Sequence, residues 1–263
     1  MRIFASIVRA RFFMLLQYRG AALGGLITQI FFGLIFVMAY EALFASSAAP
    51  QPMTLQEVVT YLWLNQALFA MLPWQPDAEI RQMMRTGNVA YELVRPFSLY
   101  WHWFARALAL RSAPTLLRAL PLTVLAALFF GLGAPSGAES AAWFGVSVLM
   151  ALVLSSAITV VLNASLFWTI SGEGAAMLVP AMVMALSGQN IPLPFYPDWL
   201  QPVLHWLPFR GLMDVPSRIY SGAIAPEQAP FEIGSQLAWC VALVFIGGLI
   251  VRKGARRLVV QGG

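Results

Sequence analysis

The chain has 263 residues, of which 60% are hydrophobic and only 10% charged, against roughly 25% charged in an average soluble domain. That balance excludes a water-soluble globular fold and points to a bundle buried against lipid. The net charge of +5 does not read as a nucleic-acid surface, because the basic residues sit in short clusters beside apolar runs, which is the pattern of membrane topology.

The first 19 residues place Arg2, Ser6, Arg9 and Gln17 on one side of a helix and Ile3, Phe4, Val8, Phe12 and Leu15 elsewhere, with Arg11 out of register. A helix lying on the membrane surface and a plain basic flank both fit this pattern. The apolar run that follows is about 25 residues long, too long for the core of a signal peptide, and reads as an uncleaved helix.

Six spans are expected in an all-α integral membrane protein with one domain, 1–263. They cover about 21–44, 55–74, 113–133, 141–169, 175–191 and 235–251. The second is less oily and carries Glu57, Asn65 and Gln66, the third contains Pro121, and the fifth is short and contains Pro180. Gln29, Asn65 and Gln66 can line a route through the bundle, or, like Asn163, simply bond across helices. The Asn163 glycosylation triplet is discounted because it sits in or beside a span. Arg210 and Arg218 are the two of sixteen basic residues that fall outside when both termini are placed in the cytoplasm. Seven of the eleven acids, Glu41, Glu57, Glu139, Asp198, Asp214, Glu227 and Glu232, fall outside or at that face.

Between spans two and three, 75–112 forms a cytoplasmic loop. Pro76 and Asp77 at its start, Glu79 in the first turn, Arg81 and Arg85 later and Gly87 at the end predict a short capped helix. The residue before Pro96 is biased away from helix, so Asn88 to Phe97 is expected to be extended or turn-like. From Ser98 to Arg111 the chain is expected to lie along the inner interface, with Tyr100, Trp101 and Trp103 at headgroup depth and Arg106 and Arg111 toward phosphate. Residues 192–234 carry Pro192, Pro194, Pro197, Pro202, Pro208 and Pro216, too many for one helix. Short helices dipping into or lying on the outer leaflet are expected there.

Motifs for chemistry are few. No phosphate-binding G-x-x-x-x-G-K-[ST] occurs, and Lys253, the one lysine, precedes Gly254 and Ala255. His102 and His205, the only histidines, fall on opposite faces of the expected topology, which disfavours a two-histidine metal site; each is expected to be an interfacial ring. Ser187 with His205 is the one pair that an intramembrane serine protease could use. An ion-coupled secondary transporter would need ionisable groups near the midplane, and the central positions of the expected spans carry none.

"GNVAYELVRP" (Gly87 to Pro96), following the short helix, and "GQNIPLPFYPDWLQPVLHWLPFRGLMDVPSRIYSG" (Gly188 to Gly222) give the chain a resemblance, over essentially its whole length, to permease subunits of ABC-2 type ATP-binding-cassette transporters. The resemblance implies a separate ATPase subunit that carries ATP and Mg, with no cofactor in this chain. It also implies a second permease copy or a related permease, surrounding lipid, and a cell-membrane location, a bacterial inner membrane being expected. It makes the N-terminal segment an interface helix. Asp77, Glu79, Arg81, Arg85, Gly87 and Asn88, with Arg95 and Pro96 fixing the following turn, would couple to the ATPase. Pro192, Phe195, Tyr196 and Trp199 would belong to re-entrant helices closing the outer end of the path.

Overall fold

The computed structural model describes residues 2–47, 49–169 and 173–256, without the side chains of residues 173, 175 and 176; Arg257, counted in the charge pattern, lies outside the described residues. These residues form α-helices and 3-10 turns with no strand among them. In chain order they are α1 (Arg2–Leu16), α2 (Arg19–Ser46), α3 (Leu55–Leu68), α4 (Ala78–Thr86), α5 (Ala90–Leu93) and α6 (Leu99–Phe129). The remainder are α7 (Ala138–Thr169), α8 (Glu173–Leu186), α9 (Gln201–Trp206), α10 (Arg210–Ser221) and α11 (Ala229–Ala255).

Four helices, α2, α6, α7 and α11, are long and apolar enough to cross a membrane. The second and fifth expected spans are shorter. Helix α3 ends at Leu68 and continues as a 3-10 turn, Phe69–Met71, and α8 is broken from the outer segment after Leu186. The composition of α3 has a packing cause. Every residue from Val58 to Leu68 is buried, so α3 is wrapped by α2, α6 and α10 and does not depend on an oily outer face. Its start is fixed by a capping box, in which the Thr54 side chain accepts from the Glu57 N–H while Glu57 accepts from the Thr54 N–H.

Helices α7 and α11 run parallel along most of their length. Ser147 bonds Gln236 near one end, and Gly254 closes on Phe167 at the other, where a Cβ would come within 2.3 Å of the ring. Helix α10 fills the space between α7, α3 and α11. It enters at mid-bundle, where Gly211 abuts Leu154 and Gln236, and leaves at the end where Ser136 donates its N–H to Tyr220 O at 3.0 Å. With α9 it makes a helical hairpin whose tip, Phe209, packs in the cluster of Leu68, Met71, Leu72 and Leu154. The proline-rich region is therefore divided: α10 is driven into the core, while α9 and the turn before it keep Trp199, Val203 and Trp206 exposed.

The third expected span is the largest departure. One unbroken helix, α6, runs 31 residues from Leu99 to Phe129, through Pro114 and Pro121, roughly 46 Å at 1.5 Å per residue. The stretch expected along the interface is its first half. Tyr100 and Trp103 are buried, leaving Trp101 as the exposed ring of the three. Helix α1 lies against α6 there, with Phe4 6.3 Å from Trp101 and 6.4 Å from Phe104 between ring centroids.

Candidate functional site

The loop between α3 and α6 carries the residues singled out in the sequence. Asp77 caps α4 by accepting the Glu79 N–H at 2.9 Å, and Gly87 ends it in the left-handed region at φ 76°. A residue with a Cβ is strained at that backbone angle. Between Asn88 and Phe97 the chain makes a single short helix, α5, and turns; no extended stretch forms.

Asp77 is buried. Its carboxylate accepts from Arg106 Nε at 3.1 Å and Nη2 at 3.0 Å, and its N–H donates to Asn163 Oδ1 at 2.8 Å. Glu79, half open to solvent, accepts from Arg106 at 2.7 Å and pairs with Arg11 at 2.6 Å. Arg11, which breaks the surface pattern of α1, is thus turned toward a carboxylate on α4. The hydrogen bond from Arg11, joined by Arg106 and opposed by burial, holds the Glu79 carboxyl below the usual glutamate range.

Behind the loop stands Arg111. Its guanidinium, buried among protein groups instead of turned toward phosphate, donates to Leu72 O at 2.7 Å, to Gln75 O at 3.0 Å and to Thr159 Oγ1 at 3.1 Å. Ser155 on α7 donates to Met71 O. The strand of chain from 71 to 77 is therefore bolted to α6 and α7 through its own backbone. On the far side of α4, Glu92 is also buried. It accepts from Trp103 Nε1 at 2.8 Å and lies 3.2 Å from His102 Nε2, so His102 is a carboxylate partner and not a bare interfacial ring. Burial pushes the Glu92 carboxyl up, but the bonds from His102 and Trp103 outweigh it and leave the group below the glutamate range.

Arg85, Gly87, Asn88, Arg95 and Pro96 are exposed, and Arg81 is half-buried. Beside them sequence reasoning passed over Tyr91, Leu93 and Val94, exposed at 72%, 39% and 81%. Their signal was available: an apolar Tyr-x-Leu-Val run in a charged loop, quoted above for the resemblance it carries but not weighed for its own exposed side chains.

A second polar centre lies at the α10 hairpin. Asp214, fully buried, faces Arg210 at 3.2 Å, Arg218 at 3.6 Å and the Tyr61 hydroxyl at 3.2 Å. Arg210 also holds Glu232 through two bonds of 2.7 and 2.8 Å. Asn65 donates to Gly188 O at 2.8 Å and accepts from Ser217 at 2.8 Å. Thus ionisable groups are buried in the bundle on a hairpin that belongs to none of the expected spans. The arginine–aspartate–arginine spacing of 210, 214 and 218, one helical turn each, was the overlooked sign.

Gln29 is buried with neither side-chain atom hydrogen-bonded, and Gln66 is buried on α3. Gln29 is not joined to Asn65 by any hydrogen bond among the described residues. Pro192 is buried and Phe195 packs edge-on to Tyr40 at 5.4 Å. Tyr196 donates to Ala185 O at 2.7 Å, while Trp199 is exposed. Ser187 Oγ is buried without a hydrogen-bond partner, so no base engages it. No group of three metal-ligating side chains occurs among the described residues.

Four helices of membrane-crossing length and composition, with shorter helices packed among them, make this a multi-pass membrane protein. The chain belongs to the ABC-2 family transporter proteins, whose family model matches residues 26–262. It is thus a permease subunit of an ABC transporter. No curated protein matches the chain.

Proposed function

We propose that this permease exports its cargo with a separate ATPase subunit, and that the ATPase docks on α4 and the turn after it. The observation that supports this most is the loop's division of labour. Asp77, Arg106 and Arg111 face inward and, with Glu79 at the solvent edge, hold α4 in place, whereas Tyr91, Leu93 and Val94 face solvent beside Arg85 and Arg95. An exposed apolar cluster rimmed by charge is the usual anatomy of a docking patch. A push on α4 then travels through Arg106 into α6 and through Asn163 into α7, since rigid, bonded elements transmit displacement. Both termini lie in the cytoplasm in this reading, and the α9–α10 hairpin, with Pro192, Phe195, Tyr196 and Trp199 around it, closes the outer end of the path. Gln29, Asn65 and Gln66 remain path residues only as part of the same proposal.

The test is copurification. A tagged permease is expected to bring down an ATPase, and Tyr91→Ala with Val94→Asp is expected to lose it while membrane insertion and folded yield stay unchanged. Charge reversal at Arg81 and Arg85 is expected to weaken the same association. Retained ATPase in all these variants would overturn the docking assignment. An ion-coupled transporter would need a carboxylate free to exchange its proton, and the buried candidate, Asp214, already faces two guanidinium groups.

A further inference from the structure

At the end of the bundle that carries α1 and α4, the start of α6 and the end of α11 part to leave a groove of about 360 Å³. Its walls are Leu99, Tyr100 and Trp101 on one side and Val244, Phe245 and Gly248 on the other, and Ser98 and Arg252 stand at its mouth. Both helices are long and apolar enough to cross a membrane, which would turn the groove toward lipid, and Trp101 and Phe245 are exposed along it. The backbone makes the space: a Cβ on Gly248 would meet nothing within 4 Å, whereas one on Gly247 would strike the Tyr100 ring at 2.9 Å. Gly247 lets Tyr100 settle against α11, and Gly248 leaves the gap beside it.

The chemistry changes along the groove. It is apolar over its length and turns cationic at the mouth, where Arg252 is exposed and appears in no ion pair among the described residues. The Ser98 side chain, which also lines the groove, forms no capping bond to α6, so its hydroxyl is not used by the helix start. A hydrocarbon tail followed by a negative phosphate fits that order, since a cation and a helix N-terminus both favour an anion at the membrane surface. We infer that this groove holds one anionic phospholipid, an acyl chain lying between α6 and α11 and the phosphate at Ser98 and Arg252. The inference rests on the chain being a membrane permease but not on its cargo or on ATPase docking.

Native mass spectrometry of the detergent-purified permease, titrated separately with phosphatidylglycerol and phosphatidylcholine of the same chains, tests it. The wild type is expected to retain one phosphatidylglycerol more tightly than phosphatidylcholine. Arg252→Gln should reduce that preference roughly fivefold, the effect of one basic residue at a lipid surface, and leave chain binding intact. Gly248→Phe fills the gap and should remove both lipids from the site. Lys253→Gln, one residue from the mouth but not lining the groove, should change little. Equal affinity of the wild type for the two lipids, or equal losses in Arg252→Gln and Lys253→Gln, would overturn the proposal. So would a dimer-to-monomer shift in Gly248→Phe, because the groove would then seat a second copy. Arg252 is exposed, so its variant keeps the test decisive if Gly248→Phe fails to fold. The binding readout needs no ATPase, so loss of ATPase copurification and loss of lipid preference are separate results.

Discussion

Asp77 and Asp214 are both buried aspartates that hold arginines, yet their surroundings differ. Asp214 is enclosed by Arg210, Arg218 and Tyr61 on an inserted hairpin, with Glu232 satisfying the far side of Arg210. Asp77 shares Arg106 with Glu79, and Glu79 reaches solvent. The first cluster is closed on itself, while the second is closed at the back and open at the front. Charge buried on every side gives a fixed joint, whereas charge buried on one side gives a joint that can still be reached from outside.

The contrast can be broken at either end. Asp214→Ala is expected to be the most damaging substitution, because it leaves two guanidinium groups without their shared carboxylate; removing one partner of a buried pair costs about 3–5 kcal/mol. A fall in thermal unfolding temperature or in monodisperse yield in detergent would register it, and an unchanged melting curve would show the cluster to be incidental. Arg111→Met should cost about 2–3 kcal/mol, on the scale of hydrogen bonds to a charged group. Hydrogen exchange should then rise across residues 71–77 and stay unchanged in α10. A rise in both regions would mean that the two centres are not independent.

Acid sharpens the comparison further. Hydrogen bonds from Arg11 and Arg106 lower the Glu79 carboxyl, and, against its burial, those from His102 and Trp103 lower Glu92, relative to a free glutamate, which titrates at about pH 4.3. The stability they contribute is therefore fully present above about pH 4.3 and is lost as pH falls through the folded values. Exchange of the α4–α5 loop should accelerate below that pH, and Glu92→Gln should flatten the acceleration. The smallest effect is expected for Glu79→Gln, about 0.5–1 kcal/mol because the group is half exposed, visible as a modest loosening of α1 from α4 by cross-linking or exchange.

Much of α4 was legible because its signals are local: Asp77, Glu79, Arg85 and Gly87 lie within eleven residues and follow capping rules. The bonds behind it were not legible. Arg106 and Arg111 read as the end of a loop, since nothing near them in sequence neutralises or solvates a guanidinium; their acceptors come from residues 72–79 and from Thr159. That misreading also split α6 into an interfacial strip and a later span. The α10 centre was hidden for the same reason, Tyr61 and Asp214 being 153 positions apart and Asn65 and Ser217 being 152 apart. Proline count predicted a broken segment correctly but carried no information on depth, which is set by what α3, α7 and α11 leave open.

Arg111 grips carbonyl oxygens of residues 72 and 75, which every amino acid supplies. These two bonds are therefore blind to side-chain identity and sensitive to how many residues stand there. Substitutions at the exposed Gln75 leave both acceptors in place and so keep the height of α4. One residue added or deleted between Leu72 and Asp77 would carry the acceptors out of reach and shift α4 along the chain's path. In this stretch, chain length is what has to be preserved.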